Sequence, residues 1–392
     1  MGSVTTRSGT RTPPWRDVRV LRASAQVVVV VGVVATIAFL YDNVRTRQRA
    51  LGIDSSFDFL DQPAGVNIAY SDFRPGQPVS DALLVGVKNT LLVAVLGMLL
   101  TLLLGTVLGV ARLSSNWLVR QGATLYVETL RNIPPLLVII FVNAAVVLNA
   151  LPRIQDSVDF GGLLILNNRE LAVAAPTDGG GAGTYVGVLL AGLILAIGVA
   201  VWRTRRSEAT GEPHHRILWG LGGFGLVAVV GYLALSGPVE VSRAEIVNRT
   251  ITGGVAMSTG YAALLVGLVL YTASHVAEIV RGSIQAVPPG QTEAATALGL
   301  SDLQRLRHVV LPQAFRIAVP PMINQFLNLT KNTSLGIAVG FSEVTLITRQ
   351  VIGNGNPAVQ AVVLLLGIYL VISIVVSLLA NAVNRRLQLV ER

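Results

Sequence analysis

Five polar side chains interrupt one apolar stretch in the last third of the sequence, and together they could bind a small charged molecule. They are Asn324, Gln325, Asn328, Lys331 and Asn332. On a helix, Asn324, Asn328 and Lys331 fall on one face, and the other two fall on a neighbouring stripe. A lysine at the centre of a membrane helix costs about 2.5–3.5 kcal/mol, so such residues usually mark a pathway. A cation beside amides could bind a carboxylate and a polar side chain, which is the chemistry of an amino acid.

The same residues also have a purely structural interpretation. Amides on neighbouring helices satisfy one another across the interfaces of a bundle, and a lysine can extend along a helix to reach a polar interface. For the amides, the sequence leaves both interpretations open. For Lys331, it favours binding or contact with another subunit.

No arrangement of residues typical of catalysis is visible. The sequence has no Ser-His-Asp arrangement, no paired carboxylates on an apolar face and no GxxxxGK[ST] loop for ATP. It contains no cysteine, which excludes disulfides and thiolate metal sites. Its four histidines lack metal-ligand spacing, apart from the adjacent His214 and His215. We therefore predict a chain that is not an enzyme, with no catalytic residues, no metal site and no cofactor of its own.

The composition predicts an integral membrane protein. Hydrophobic residues make up 52% and charged residues 13% of the 392 residues, and the mean hydropathy is +0.64. Soluble domains carry about 25% charged residues. The net charge of +9 comes almost entirely from arginine, and in a membrane protein such an excess indicates basic cytoplasmic loops. No basic patch with interleaved aromatic residues suggests nucleic-acid binding.

A polar segment over residues 288–312, called here the coupling segment, predicts two short helices that meet at a glycine. Pro288 and Pro289 end the preceding helix and begin a new one. Gly299 suits the left-handed conformation that closes this first short helix.

The second short helix of the coupling segment begins with a capping box. Ser301 is followed three residues later by Gln304, the pair that satisfies the first backbone N–H groups of a helix. We expect this helix to run toward Leu311 and to be interrupted or kinked at Pro312.

The spacing inside the coupling segment resembles the EAA loop of permease subunits of binding-protein-dependent ABC importers. That loop has the pattern EAA, three residues, glycine, nine residues, an aliphatic residue, any residue, then Leu-Pro, and the sequence matches it at every fixed position. The resemblance implies that the segment docks into a cleft of a separate ATPase subunit, which would bind the ATP. The alternative is an ordinary cytoplasmic helical hairpin. The implied coupling residues are Glu293, Ala294, Ala295, Gly299, Leu311 and Pro312.

Two further stretches place charged residues near the inner interface of the membrane. Glu128, Arg131 and Pro134 form a Glu-x-x-Arg-x-x-Pro pattern that also resembles this family, particularly its polar amino-acid branch. The simpler interpretation, compatible with the first, is an i,i+3 pair of Glu128 and Arg131 that caps a span. Glu278 and Arg281 are likewise expected to pair at the inner interface.

Hydropathy and charge placement predict an all-α membrane protein with about eight spans. The seventh carries the five polar side chains and is expected to be interrupted by Pro320 and Pro321. If it crosses, both termini and five basic clusters lie on the cytoplasmic side. The predicted spans are about 25–40, 88–110, 136–151, 185–202, 217–235, 257–280, 319–346 and 358–381.

The resemblance to the family also divides the chain into a five-helix permease core and additions. We expect a cytoplasmic basic tail over 1–24 and a first span with a periplasmic loop over 25–81. The core would occupy 82–151 and 254–392, and the latter part contains the coupling segment. Residues 152–253 would be inserted loops and two spans.

The eight-span layout, the acidic first outer loop and the inserted pair of spans resemble the general L-amino-acid permeases of Gram-negative bacteria. That resemblance implies a permease subunit for polar or general L-amino acids in the inner membrane. Its implied partners are a second, non-identical permease, an ATPase dimer and a periplasmic substrate-binding protein.

Two alternatives remain to be separated from this interpretation. An ion-coupled secondary amino-acid transporter predicts a buried carboxylate relay or an internal inverted repeat, and the sequence shows no repeat. A non-transporting membrane scaffold would tolerate changes in the coupling segment.

Overall fold

The computed structural model of the chain describes residues 15, 17–50, 52, 56–210 and 215–387. Most of the predicted basic tail therefore lies outside the described residues, as does His214. The α-helices are α1 Val18–Ala50, α2 Val79–Ala111, α3 Trp117–Arg131, α4 Pro135–Phe141, α5 Ala182–Thr210, α6 Arg216–Ala234, α7 Thr259–Gln285, α8 Pro289–Ala297, α9 Asp302–Arg305, α10 Leu311–Asn332, α11 Val344–Gly353 and α12 Ala358–Leu387.

The long apolar helices confirm a mostly helical integral membrane protein. Among the described residues, five helices are long and apolar enough to cross a membrane, and two bent helix pairs raise that number to seven. A further helix is apolar over only Leu218–Ala234, so the count of eight spans stays a prediction. The five are Val18–Ala50, Val79–Ala111, Ala182–Ser207, Thr259–Gln285 and Ala358–Ala382.

Helix α1 is longer than the sequence predicted at both ends. It begins at Val18, inside the expected tail, and continues to Ala50 through residues expected in the first loop. The basic stretch that follows the apolar run consists largely of arginine, glutamine and alanine, which are good helix formers and extend the helix. Near its end, the buried Gln48 donates a hydrogen bond to Gln360 of α12 at 3.1 Å, which ties α1 to the last helix.

The chain bends sharply just before the third predicted span, where a short loop joins α3 to α4. The pair Trp117–Arg131 and Pro135–Leu148 is bent by 109°. Pro134 is extended, with ψ of 138°, and Pro135 occupies the first turn of α4. A residue that precedes proline is pushed out of the helical region, so the Pro-Pro pair turns the chain here.

The prediction that Pro320 and Pro321 interrupt the seventh span is wrong, because both lie inside the continuous helix α10. The chain departs from α-helix further on, in the 3-10 turn Thr333–Val339 and at Gly340, where φ is +69°. Buried residues of α10, including Ala318 and Met322, pack against α7. This packing outweighs the poor helix propensity of the two prolines, whose rings lie on the exposed side of α10.

The core of the molecule is the close pairing of α2 with α7. A Cβ atom added to Gly105 would lie 2.5 Å from Val276, and one added to Gly109 would lie 2.7 Å from the backbone oxygen of Ala277. Small residues at these points let the two helices approach closely, as in other membrane helix pairs.

The two helices α2 and α7 run parallel, because Gly97 faces Leu265 while Gly109 faces Val280. Their last turns therefore lie together, beside the coupling segment that follows α7. Their first turns lie together at the opposite end of the molecule, called here the distal end.

The inserted loops contain antiparallel strands that the sequence did not predict. The strands are β1 Val158–Asp159, β2 Leu164–Leu166, β3 Glu170–Val173, β4 Ala175–Asp178, β5 Val239–Ser242, β6 Glu245–Val247, β7 Thr250–Thr252 and β8 Val255–Ser258. One sheet has the order β1-β2-β3-β8, and β4-β5 and β6-β7 form two pairs. Strands β3 and β8 pair in the register Glu170 with Ser258, which fixes the inserted loops to the start of α7.

Candidate functional site

The local geometry predicted for the coupling segment is confirmed. Helix α8 begins at Pro289, and Gly299 has φ of +75°. The N–H of Ser301 donates to the side-chain oxygen of Gln304 at 2.9 Å, and the Ser301 hydroxyl accepts from the N–H of Gln304 at 3.4 Å, which completes the capping box. The segment therefore folds as two short helices held at a fixed angle by a left-handed glycine.

We expected Pro312 to interrupt or kink the second helix, but the helix continues through it. Pro312 follows a π-helical turn over Leu306–Val310 and occupies the first turn of α10. The N–H of Leu311 bonds to the oxygen of Leu306, five residues earlier. Proline has no N–H to donate and its ring crowds the preceding turn, so a widened turn accommodates it without ending the helix.

Within the coupling segment, the predicted residues divide into an exposed set and one buried residue. Glu293, Ala294, Gly299 and Pro312 are exposed, Leu311 is 44% exposed, and Ala295 is buried. Sequence reasoning missed two exposed apolar side chains on the coupling segment. Leu298 is 80% exposed and Leu303 is 74% exposed. Large apolar side chains this exposed on a polar segment are available for contact with a partner.

A network of charges joins three helices close to the coupling segment. Glu278 of α7 accepts hydrogen bonds from Arg112, the residue directly after α2, and from Arg281, and Arg131 of α3 approaches it to 3.6 Å. The predicted pair of Glu278 and Arg281 is confirmed. The predicted pair of Glu128 and Arg131 is wrong, because Glu128 pairs with Arg112 at 3.0 Å while Arg131 faces Glu278. Partners on other helices compete successfully with the neighbour on the same helix.

The five polar side chains of α10 divide between two neighbouring faces of the helix, as predicted. Asn324, Asn328 and Lys331 are exposed, and Gln325 and Asn332 are half-buried. Within the described part of the chain, none of the five side chains forms a hydrogen bond or an ion pair. Hydrogen bonding between helices of this same chain therefore does not account for them.

Glu343, directly before α11, is a buried carboxylate. Its side chain is fully buried and caps α11. The carboxylate accepts the backbone N–H groups of Thr345 at 2.8 Å and Leu346 at 2.9 Å, and the hydroxyl of Tyr369 donates to it at 2.9 Å. Three donors from α11 and α12 give it a structural role in joining these helices.

Two adjoining cavities open at the distal end between the first turns of α2 and α7. The larger has a volume of about 850 Å³ and is lined by Asp72, Asp81 and Lys88 among others. The smaller has a volume of about 200 Å³ and reaches Tyr261 and Ser342. The polar residues of α10 line neither cavity, so sequence reasoning missed this site. The signal it could have used is Lys88, one of two lysines in the chain.

One wall of both cavities is held by a contact between the first loop and the inserted sheet. The hydroxyl of Tyr70, which lines both cavities, donates to the carboxylate of Glu170 on β3 at 3.2 Å. Burial, followed by the charge of Glu170, raises the pKa of Tyr70 to about 12. This hydrogen bond links the first loop to the inserted sheet at the cavity wall.

The sequence matches a family described as binding-protein-dependent transport system inner membrane component over residues 97–389. It is 37% identical to the putative amino-acid ABC transporter permease protein YhdX of Escherichia coli, over 94% of each chain. It is also 37% identical to the general L-amino acid transport system permease protein AapQ of Rhizobium johnstonii, over 94% of this chain and 92% of that one. Identity is 35% to the glutamate/glutamine/aspartate/asparagine transport system permease protein BztB of Rhodobacter capsulatus, over 96% of each chain.

Proposed function

The chain belongs to the family of binding-protein-dependent transport system inner membrane components, and from this membership we propose that it is the permease subunit of an ATP-driven importer of polar or general L-amino acids. The observation that carries the proposal is similarity to amino-acid permeases along nearly the whole chain. The inserted helices and loops are included in that similarity, which extends beyond the shared permease core.

The coupling segment is the part through which a separate ATPase would act. Gly299 and the capping box fix its two helices, and Leu298 and Leu303 present an exposed apolar surface. The charge network around Glu278 links α2, α3 and α7 beside it. A push on the segment would thus reach three helices together. This chain would bind no ATP and need no cofactor itself, because the partner subunit carries the nucleotide.

The complete importer would contain further subunits. Family membership implies an ATPase and a substrate-binding protein as partners. We place a second, non-identical permease against the exposed face of α10 that carries Asn324, Asn328 and Lys331, so that these side chains face the shared pathway. We also propose that the protein lies in the inner membrane of a bacterial cell. Both termini would lie in the cytoplasm.

The ion-coupled alternative requires a carboxylate that takes up and releases ions. Glu343 is buried but already accepts three hydrogen bonds, and Glu278 is held by arginines. These contacts favour structural roles for both groups and speak against a relay.

Uptake driven by ATP tests the proposed function. The importer, purified with its partner subunits and reconstituted in vesicles, should take up labelled L-glutamine only with ATP and should be insensitive to uncouplers. Gly299→Asp and Glu293→Lys should abolish uptake while the subunit still inserts in the membrane, because both alter the surface offered to the ATPase. Gly183→Asp, in an open position at the start of α5, is the matched control. Normal uptake by both coupling variants would refute the role of the segment.

A further inference from the structure

Helices α5 and α6 form a hairpin whose outer faces are exposed and apolar. The two helices pack closely on each other, since a Cβ atom added to Gly231 would lie 2.5 Å from Val188. In the most apolar stretch of α5, however, only 11% of the residues are buried. Large apolar side chains such as Ile194 at 72% and Leu233 at 70% exposure point away from the pair. Acyl chains of lipids are as apolar as leucine, so these faces suit contact with lipid.

Aromatic side chains mark both ends of this hairpin. Tyr185 and Tyr232 lie at the end joined to β4 and β5, with ring centroids 5.9 Å apart. Trp202 and Trp219 lie at the other end and are 55% and 57% exposed. Tyrosine and tryptophan are enriched at both membrane interfaces. Seventeen residues of α5 separate Tyr185 from Trp202, which is about 25 Å of helix and close to the thickness of the hydrocarbon core, about 30 Å. The tryptophans therefore lie at one membrane interface.

A cluster of arginines follows directly after this interface. Arg203, Arg205 and Arg206 come immediately after Trp202. The guanidinium of Arg203 lies 4.9 Å from the centre of the Trp219 ring, and that of Arg206 lies 5.6 Å from the centre of the Trp202 ring. A guanidinium that lies over a ring keeps its N–H donors at its edge, because they lie in its plane. Arg205 and Arg206 are exposed, and neither forms an ion pair within the described part of the chain.

The connections of the hairpin decide which membrane face this cluster approaches. The chain enters α5 from β4 and leaves α6 into β5, and these strands pair. Strand β3, just before β4, pairs with β8 at the start of α7, so this end of the hairpin belongs to the distal end. A spanning hairpin carries its turn to the opposite face, where the coupling segment lies. The stretch from Arg203 to Arg216 holds four arginines against two glutamates, a formal net charge of +2.

We propose that the end of the hairpin that carries Trp202 and Trp219 binds an anionic phospholipid, with Arg205 and Arg206 on its phosphate and its acyl chains along the apolar faces of α5 and α6. Arginine binds phosphate through paired N–H···O bonds, and clustered arginines beside a membrane span attract anionic headgroups of the cytoplasmic leaflet. The proposal goes beyond the transport function and shares with it only the cytoplasmic placement of the coupling segment.

A lipid fits this surface better than a protein of opposite charge does. A protein partner would have to bring carboxylates to the edge of the membrane, and charged side chains are costly there unless they are paired. The phosphate of a lipid already lies at this depth, and its acyl chains cover the apolar faces at the same time. A zwitterionic lipid has the same phosphate but also a positive group, which the neighbouring arginines repel.

Lipid titration of the complete importer, purified in an uncharged detergent and followed by native mass spectrometry, tests the site. The wild type should bind phosphatidylglycerol about tenfold or more tightly than phosphatidylcholine with the same acyl chains. The double variant Arg205→Gln and Arg206→Gln should bind phosphatidylglycerol about tenfold or more weakly, the effect of lost hydrogen bonds to a charged group. Arg205→Lys with Arg206→Lys keeps both charges and should bind more tightly than the glutamine variant.

The matched control is Arg74→Gln with Arg153→Gln, which removes the same charge from two exposed arginines of the distal loops. This control should bind phosphatidylglycerol as the wild type does. If the double glutamine variant folds poorly, Arg205→Gln alone, which leaves both stacked arginines in place, should weaken binding in the same direction.

Several results would overturn the site. These are equal affinity of the wild type for the two lipids, unchanged binding by the Arg205 and Arg206 glutamine variants, and an equal loss in the distal control. Loss of a partner subunit from the double variant would show a protein contact instead. Displacement of the lipid by free glycerol phosphate at equal concentration would show a site for soluble phosphates. ATP-driven uptake by the wild type, measured separately, decides the proposed function whatever the lipid result.

Discussion

Single charged residues inside this molecule are held by several partners each. Glu278 is surrounded by three arginines, and Glu343 accepts two backbone N–H groups and one phenol. In a membrane, an unpaired charge is costly, and these contacts remove that cost. The several partners of each carboxylate indicate structural roles for Glu278 and Glu343.

Replacing Glu343 by glutamine tests the structural role at the residue scale. The change puts an amide NH₂ where one oxygen now accepts a backbone N–H, so we expect a loss of about 1–3 kcal/mol in stability. Thermal unfolding of the purified importer measures this loss. Uptake at permissive temperature should remain driven by ATP. If the Glu343→Gln importer kept normal stability but lost transport, the helix-capping role of Glu343 would be contradicted and an ion-binding role would be favoured.

At the scale of elements, the parallel pair α2 and α7 positions both functional ends. Toward the coupling segment, Arg112, directly after α2, contacts Glu278 of α7, and toward the distal end, Lys88 of α2 and Tyr261 of α7 line the smaller cavity. Glycines on α2 allow the close contact along this pair. A rigid pair of this kind is suited to carry movement from one end to the other.

Replacing Gly109 by valine should disrupt this pair. The added atoms would meet the oxygen of Ala277 and the side chain of Val280 at less than normal contact distance, and overpacking of this kind costs about 1–3 kcal/mol. We expect a lower midpoint of thermal unfolding and reduced uptake. Gly222→Val in α6, where nothing lies within 4 Å, should leave the midpoint unchanged. Equal midpoints for the two variants would show that the close contact does not matter.

For the whole molecule, the important property is that its two candidate sites lie at opposite ends. The coupling segment follows the last turn of α7, and the first loop surrounds the first turn of α2. The chain contains no cysteine, so single cysteines can be introduced without background. This makes the orientation of the molecule directly measurable.

Two single-cysteine variants test the orientation in intact cells. Gly76→Cys in the first loop should react with a membrane-impermeant maleimide added outside, provided that the outer membrane is permeabilised. Leu298→Cys in the coupling segment, at an exposed position, should react only after the inner membrane is opened. Labelling of Leu298→Cys from outside would reverse the orientation and contradict docking of a cytoplasmic ATPase.

Local sequence signals predicted the coupling segment well because each acts within a few residues. The Gly299 turn and the Ser301–Gln304 capping box depend on backbone conformation and short-range hydrogen bonds, and composition alone indicated a membrane protein. Pro312, Pro320 and Pro321 were misjudged because a widened turn and packing on α7 accommodate them.

The sequence by itself therefore determined the membrane class, the helical coupling segment and the faces of α10, since these follow from composition, spacing and helical period. Only the tertiary structure decided that Glu128 pairs with Arg112, that the inserted loops form sheets with the start of α7, and that Lys88 and Tyr261 share a cavity. The physical reason is that these contacts join different helices and strands, and their geometry depends on how those elements pack.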